Sequence, residues 1–328
     1  MKRITAIITA AVMLACCLCG CGANTVTAEN DNRLKIVTTI FPEYDWVMNI
    51  LGDKAGDAQV TMLLDNGVDL HSYQPTAQDI MKISTCDLFI YVGGESDEWV
   101  EDALKEATNK DMRVINLLDV LGDKIKEEEI VEGMEAEEEE ADAEEEEEEP
   151  EYDEHVWLSL KNAQICCDAI CEKICEADNS NAQNYRDNTK AYNKKLSDLD
   201  AQYKSTVDEA KYHTLLFGDR FPFRYMTDDY GLDYYAAFVG CSAETEASFE
   251  TIVFLSNKTD ELSLPAIMTI EGTEHRIAET IRDNTNNKDQ KILTLDSMQS
   301  VTKDDVKNSV TYISIMESNL LVLNEAIN

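Results

Sequence analysis

Positive charge is scarce in this sequence. Its 328 residues contain 28 Lys and Arg against 66 Asp and Glu, which gives a formal net charge of -38 at pH 7. This deficit argues against a nucleic-acid partner, because a phosphate backbone requires a net positive surface. It agrees with a cation as the partner, or with high solubility alone.

Histidine and the common catalytic motifs are scarce as well. The chain has four histidines, and it contains neither an HExxH-type helix nor the nucleophile elbow of hydrolases. These absences argue against a hydrolase. Hydrophobic residues, at 44%, are sufficient for packed cores, and the length allows two domains.

The cysteines lack the compact spacing of a disulfide framework. Six lie beyond the N-terminal segment, and Cys167, Cys171 and Cys175 recur every four residues on one face of a predicted helix. This spacing would allow metal binding, but free cysteine is also a common small buried hydrophobe. We expect this face to be buried, and the sequence leaves open whether any cysteines pair.

The N-terminus is typical of a lipoprotein signal. Two basic residues precede an apolar run at 4–18, which is too short to span a membrane comfortably. The run ends in Leu-Cys-Gly before Cys21, the predicted lipidation site, and Cys16 is a weaker alternative. We predict a signal peptide at 1–21 and a flexible, polar tether at 22–33. An ordinary cysteine-rich signal peptide is the alternative interpretation.

Beyond the tether, short β-branched runs alternate with helical patterns. We predict an α/β fold of two parallel-sheet lobes, an N-terminal lobe at 34–176 and a C-terminal lobe at 212–328. One long helix at 177–211 links them, with an apolar stripe along a polar rod. The ligand cleft is expected between the lobes.

The predicted elements place the loops in which a ligand would bind. Strands are predicted at 34–40, 59–64, 88–92, 113–118, 214–217, 234–238, 266–270 and 291–295. Helices are predicted at 42–51, 76–85, 97–107, 159–175, 181–210, 249–262, 275–284 and 303–324. In parallel sheets ligands bind beyond the carboxyl ends of the strands.

An acidic, low-complexity insertion lies within the first lobe at 122–152. It includes the uninterrupted runs Glu137–Glu140 and Glu144–Glu149. So many like charges repel one another and bury nothing, so we predict a disordered loop. Either it is a solvated insertion without a role, or it collects cations weakly and leads them to the segment around His155.

Two histidines lie in polar loops among carboxylates. His71 lies in Asp-Leu-His-Ser-Tyr-Gln-Pro-Thr-Ala-Gln-Asp after the predicted strand at 59–64, and His155 lies in Asp-Glu-His-Val-Trp-Leu-Ser. Imidazole is the commonest neutral metal ligand, and each of these histidines has possible carboxylate co-ligands nearby in the sequence. A solvated surface histidine is the alternative for each.

These motifs together resemble the metal-binding lipoproteins of bacterial ABC importers for zinc and manganese. The resemblance covers nearly the whole chain beyond the signal, and rests on HSYQPTAQD (71–79), DEHVWLS (153–159) and the acidic insertion between them. It also includes Tyr230-Gly231-Leu232 and LTLDS (293–297). In that family two lobes enclose one divalent ion, and a long helix limits how far they move.

The resemblance implies a ligand set drawn from both lobes. His71 and His155 fill the first-lobe positions, and Asp296 fills the last position. The family's third ligand, a His or Glu just after the first strand of the second lobe, is missing here. Gly218, Asp219 or Arg220 occupies that position, and of these three only Asp219 would bind a cation.

Sequence position offers one substitute for the missing nitrogen. Glu271 and His275 follow the predicted strand at 266–270, so they lie at the carboxyl edge that faces the cleft. His275 is therefore the alternative fourth ligand. His213 precedes its strand and is expected at the wrong end.

The resemblance implies an extracytoplasmic solute-binding protein, lipid-anchored to the cell membrane and not an enzyme. It would capture Zn²⁺, or alternatively Mn²⁺, and deliver the ion to an ABC permease. Nitrogen-rich sites favour zinc, whereas oxygen-rich sites are more tolerant of manganese. A metal-dependent hydrolase, with two His and a carboxylate activating water, is the alternative. An adhesin-like surface lipoprotein with a structural metal is the third interpretation.

Overall fold

The computed structural model describes residues 33–135, 151–242, 246–272 and 275–328. The predicted signal peptide, with its lipidation site at Cys21, lies outside the described residues, as does all but the last residue of the tether. Residues 34–328 form one compact unit. Within the described part of this unit, no helix is both long and apolar enough to cross a bilayer.

The first lobe consists of four strands with helices on their faces. In chain order its elements are β1 (Leu34–Thr38), α1 (Phe41–Leu51), β2 (Ala58–Met62), α2 (Ala77–Thr85), β3 (Leu88–Tyr91), α3 (Trp99–Lys105), β4 (Arg113–Asn116), α4 (Leu117–Leu121) and α5 (Leu160–Ala177). The strands pair in parallel in the order β2-β1-β3-β4. The β1 and β3 strands are buried β-branched and aromatic runs, as expected for a sheet covered on both faces.

One long helix, α6 (Ala182–Asp208), links this lobe to the second. Its 27 residues extend for about 40 Å. Buried side chains recur on it every three or four residues, and they bond to both lobes. The Tyr192 hydroxyl lies 3.1 Å from the Asp45 carboxylate in the first lobe, and the Tyr203 hydroxyl donates to the Met316 carbonyl in the second (2.6 Å).

The second lobe repeats the arrangement of the first. Its elements are β5 (Thr214–Phe221), α7 (Arg224–Tyr230), β6 (Asp233–Val239), α8 (Phe249–Leu262), β7 (Ala266–Ile270), α9 (Arg276–Asn284), β8 (Lys291–Leu295), α10 (Lys303–Lys307) and α11 (Tyr312–Ile327). The strands again pair in parallel, in the order β6-β5-β7-β8. The predicted two-lobe α/β fold with a linking helix is therefore confirmed.

The helices of the second lobe differ from the prediction in two places. The single helix predicted at 303–324 is two helices, α10 and α11, because Ser309 adopts a positive φ of 69° between them. Thr311 then caps α11 by accepting a hydrogen bond from the Ser314 amide. The short helix α7, which was not predicted, ends at Gly231 in the left-handed conformation.

The flanks of the acidic insertion are ordered, so the prediction of disorder is wrong for residues 122–135 and 151–152. Backbone bonds join the two flanks, from the Glu128 amide to the Glu151 carbonyl and from the Asp153 amide to the Lys126 carbonyl, both 2.9 Å. These bonds satisfy the backbone and order the flanks despite their charge. Residues 136–150 lie outside the described residues, and the prediction for them stays a prediction.

The cysteine face of α5 is buried, as predicted. Cys167, Cys171 and Cys175 are each at most 3% exposed and pack in the hydrophobic core of the compact unit. All six described cysteines are free thiols. These three residues therefore contribute to packing.

Candidate metal site between the lobes

His71 is positioned by a single turn of 3₁₀ helix after β2, at Leu70–Ser72. Asp69 caps this turn, because its carboxylate accepts the backbone amide of His71 at 3.0 Å. Leu70 is buried at 1% exposure and fixes the turn to the core. The sequence Asp-Leu-His-Ser thus supplies a cap, an anchor and an imidazole held at the sheet edge.

His155 is positioned in the same way before α5. The Asp153 carboxylate accepts both the backbone amide of His155 (2.8 Å) and its side-chain Nδ1 (3.1 Å). The next turn, Val156–Leu158, is buried, and the Trp157 indole donates to the carbonyl of Ser297 in the second lobe at 2.9 Å. The His155 ring is fully buried, and its orientation is fixed on both sides.

The two imidazoles face each other through their Nε2 atoms, which are 3.1 Å apart. The Asp153 carboxylate accepts a hydrogen bond from the Nδ1–H of His155, so the lone pair of His155 lies on Nε2. His71 Nδ1 lies 2.8 Å from the Ser96 hydroxyl and 3.5 Å from Glu154 Oε2. When the Nδ1–H of His71 donates to Ser96 or Glu154, the lone pair of His71 also lies on Nε2. The two Nε2 lone pairs then point at one position, where a cation would relieve their mutual repulsion.

Burial sets the protonation of His71 and of the neighbouring Glu154. Burial, and then the nearby His155, lowers the pKa of His71 to about 3, so His71 is neutral at physiological pH and able to bind a metal. Burial raises the pKa of Glu154 to about 7, although the carboxylate accepts the Ser96 amide at 2.9 Å. A neutral imidazole with a carboxylate beside it is typical of a metal-binding histidine.

Cys241 completes a cluster that was not predicted. In the described part of the chain, the close group of three potential ligand atoms is formed by His71, His155 and Cys241, whose atoms all lie within 4.8 Å of one another. Cys241 follows the end of β6 and is half-buried. The Glu128 carboxylate accepts its backbone amide at 3.3 Å. Burial raises the pKa of the Cys241 thiol, and the charge of Glu128 raises it further.

Gly240 allows the neighbouring Cys241 to lie close to His155. A Cβ on Gly240 would lie 2.9 Å from Cε1 of His155 and 2.9 Å from the carbonyl oxygen of Phe221. Contacts this short are tighter than side chains normally make, so the end of β6 approaches the imidazole only because residue 240 is glycine.

The predicted ligand Asp219 lies in β5, which extends four residues beyond its predicted end. Its carboxylate accepts the amides of Arg220 (2.9 Å) and Ile270 (3.3 Å), and burial raises its pKa. With Glu271 and the alternative ligand His275, it lines a cleft of about 710 Å³ that also contacts Asp69. The three-residue cluster includes neither Asp219 nor His275.

The predicted ligand Asp296 follows β8 and is also outside the three-residue cluster. Its carboxylate accepts the Met298 amide at 2.8 Å, and its own amide donates to Asn319 at 2.8 Å. Burial and the charge of Glu271 raise the pKa of Asp296 to about 7. Glu271 itself accepts the Ser297 amide and hydroxyl and the Gln299 amide, so it holds the loop together.

The mouth of the histidine site is acidic. A cavity of about 400 Å³ opens beside His71 and Cys241, and five glutamates line it: Glu95, Glu98, Glu128, Glu151 and Glu154. Glu151 directly follows the undescribed part of the acidic insertion. The insertion therefore ends at the mouth of the site.

The signal for the missed residue was present in the sequence. Cys241 comes two residues after β6, at the carboxyl edge of a parallel sheet, which is the location that was used to select His71 and Glu271. Ser96 comes five residues after β3, in the loop at the same edge of the first sheet. Both residues therefore meet the criterion that ligands bind beyond the carboxyl ends of parallel strands.

Comparison with known families gives one match over most of the chain. The model of the family described as "ZnuA: Zinc-uptake complex component A periplasmic" matches residues 36–326. The high-affinity zinc uptake system protein ZnuA of Bacillus subtilis is 30% identical over 321 residues, covering 98% of this chain and 96% of that protein.

A longer relative and a solved structure match as well. The zinc-binding protein AdcA of Streptococcus pyogenes serotype M18 is 28% identical over 92% of this chain, and this chain spans 57% of its length. The Zn(II)-bound ZnuA-like domain of Streptococcus pneumoniae AdcA superposes with a TM-score of 0.69 at 26% identity, covering 90% of this chain and 99% of that one.

Proposed function

This chain belongs to the ZnuA family of periplasmic zinc-uptake components, and from this premise we propose that it captures a divalent metal ion, zinc in preference to manganese, between its two lobes. It then presents the ion to an ABC permease, and no bond is broken in the process. The relatives named zinc-binding or zinc-uptake proteins support zinc as the cargo.

The observation that carries this proposal is the pair of Nε2 atoms 3.1 Å apart. In a tetrahedral zinc site two imidazole nitrogens, each about 2.0–2.1 Å from the metal, lie about 3.3 Å apart. The pair is thus spaced for one shared ion. Carboxylates on the Nδ1 side of each ring increase the basicity of a ligating histidine.

The ligands from the second lobe belong to this proposal and were predicted as Asp219 and Asp296, with His275 as the alternative. Asp219 lies near the carboxyl end of β5, whereas His275 and Asp296 follow the carboxyl ends of β7 and β8. The carboxylate of each aspartate accepts a hydrogen bond from a backbone amide. Each would therefore have to give up this hydrogen bond in order to bind the metal. The proposed function rests on the histidine pair and not on these residues.

A thermal unfolding titration with Zn²⁺ tests the proposal. An ion that binds only the folded chain raises its stability by about 2.7 kcal/mol at a free metal concentration of 100 times Kd. We expect His71→Ala and His155→Ala each to lose most of this metal-induced increase, because each removes one of the two converging nitrogens.

His213→Ala is the matched control. His213 is exposed and precedes β5, at the end of the sheet away from the site. We expect this variant to keep the full metal-induced increase in melting temperature. Normal stabilisation of His71→Ala by Zn²⁺, at an unchanged metal-free melting temperature, would refute the proposed site.

We also propose that the protein is extracytoplasmic and held to the membrane by a lipid on Cys21. The motif Leu-Cys-Gly-Cys at 18–21 supports this, and the AdcA relative from Streptococcus pneumoniae R6 is named a lipoprotein. Cys21→Ser should move the protein from the membrane fraction to the soluble fraction. Cys16→Ser is the control that should leave it attached, and membrane attachment of Cys21→Ser would count against the assignment.

A further inference from the structure

We propose that Cys241 is the third protein ligand of the metal, so that two imidazoles and one thiolate hold the ion. This inference rests on the proposed function, because it adds a ligand to the same site. It also specifies the cargo, since a soft thiolate favours zinc and disfavours manganese, which prefers oxygen ligands.

The geometry of the cluster carries the inference. The thiol sulfur and the two imidazole nitrogens all lie within 4.8 Å of one another. In a tetrahedral zinc site a sulfur and a nitrogen ligand, about 2.3 and 2.1 Å from the metal, lie about 3.6 Å apart. A movement of roughly an ångström would therefore complete three coordination positions. Cys241 is in the second lobe, so its sulfur would tie that lobe to the histidines of the first.

The local backbone keeps Cys241 in this place. Gly240 brings the end of β6 against the His155 ring, and the Cys241 amide donates to Glu128. The other five described cysteines are buried in the first lobe. Cys241 differs from them because it lines the cavity that also contacts His71.

The usual source of a third ligand, the end of β5, is already engaged. Arg220 makes an ion pair with Asp69 at 2.6 Å and donates to the Ser242 carbonyl at 3.2 Å, which links the lobes with a cation. Asp219 accepts two backbone amides. Neither residue has a ligand atom in the cluster, whereas the next strand in the sheet, β6, provides the thiol of Cys241.

Cobalt provides a direct test, because a thiolate bound to Co²⁺ gives an intense near-ultraviolet charge-transfer band that imidazole and carboxylate ligands do not give. The full-length chain is titrated with Co²⁺ under reducing, oxygen-free conditions. We expect one equivalent to bind with this band and with the release of the thiol proton.

Variants separate Cys241 from the other thiols of the chain. In Cys241→Ser we expect the charge-transfer band to disappear and Zn²⁺ affinity to fall by at least the roughly 10–100-fold that the loss of an outer-shell partner costs. The preference for Zn²⁺ over Mn²⁺ should fall as well. Cys171→Ala, which removes a buried thiol of α5, is the matched control and should keep both the band and the affinity.

The outcomes distinguish this inference from the function on which it rests. Tight binding of Co²⁺ and Zn²⁺ without the band in the unmodified chain would overturn Cys241 as a ligand and leave the proposed function standing. An undiminished band in Cys241→Ser would also overturn it. If neither Co²⁺ nor Zn²⁺ bound the unmodified chain, both the inference and the proposed function would be overturned. Because the first measurement needs no variant, the test does not depend on how Cys241→Ser folds.

Discussion

At the scale of single residues, the site depends on how closely the end of β6 lies against His155. The imidazole is fixed by Asp153 on its Nδ1 side and by Trp157 behind it, with ring centroids 5.2 Å apart. Gly240 forms the remaining wall, where a Cβ would meet the ring at 2.9 Å. Since His155 has little room to turn, a change in that wall should alter its ability to bind a metal.

We therefore expect Gly240→Ala to weaken Zn²⁺ binding. Overpacking of this kind costs about 1–3 kcal/mol, and here the strain falls on the His155 ring and on the carbonyl of Phe221. Calorimetric titration with Zn²⁺ should show an affinity roughly 10-fold or more lower, since about 1.4 kcal/mol is a factor of ten.

Gly56→Ala is the control for this substitution. A Cβ on Gly56 would have no atom within 4 Å, so the change should leave Zn²⁺ affinity as it is. Equal affinities for Gly240→Ala and Gly56→Ala would show that the contact with His155 does not constrain the metal site.

Some residues of the candidate metal site were predictable from local sequence, and others were not. His71 and His155 were identified because each lies in a short polar motif with its own carboxylate cap, so local sequence carries the signal. Cys241 has no such motif, and its partners in the cluster lie far away along the chain. Asp219 was predicted in a loop, whereas tertiary pairing places it in a strand and bonds its carboxylate to the backbone.

At the scale of elements, the runs of β-branched residues were sufficient to locate the strands but not to locate the residues at which the strands end. The prediction ended β5 at Phe217, because the next residues, Gly218 and Asp219, have low strand preference. The strand nevertheless continues to Phe221, with a register shift between Phe217 and Arg220 opposite β6. Pairing with β6, which comes later in the chain, stabilises the last residues of β5. The local sequence pattern contains no information about this pairing.

The linking helix was predicted well because its signal is local and long. The stripe of Tyr185, Tyr192, Leu196, Leu199, Tyr203 and Val207 is buried as the spacing required. Its predicted ends at 181 and 210 agree with α6 to within two residues. The break between α10 and α11 was missed because it depends on the positive φ of Ser309, a residue that rarely adopts that conformation.

At the scale of the whole molecule, α6 and the contacts between lobes restrict movement. The Tyr312 hydroxyl donates to the Trp157 carbonyl (2.7 Å), and the Ser159 hydroxyl bonds to the Asp229 carboxylate (2.6 Å). Arg220 and Asp69 form a further link across the cleft. A metal held by ligands from both lobes would add to these links, so metal capture and interlobe stability should rise together.

Charge is the other property of the whole molecule that bears on metal capture. The chain carries a formal charge of -38, and five glutamates line the mouth of the histidine site. The segment at 136–150, which directly precedes Glu151 in the sequence, contains eleven further Asp and Glu residues. A concentration of one sign of charge around a cleft raises the local concentration of the opposite ion and its association rate.

Replacing the eleven acids of 136–150 by Gln and Asn, at unchanged length, should therefore slow Zn²⁺ association without loosening the bound ion. Stopped-flow measurement at low ionic strength should show a lower association rate constant and an unchanged dissociation rate. Weak additional binding in calorimetric titrations should disappear. The difference from the unmodified chain should shrink as salt shortens the Debye length from about 30 Å at 0.01 M to about 3 Å at 1 M. A faster dissociation rate that persists at high salt would mean instead that the segment contributes a ligand, since a directly coordinating carboxylate is not removed by screening.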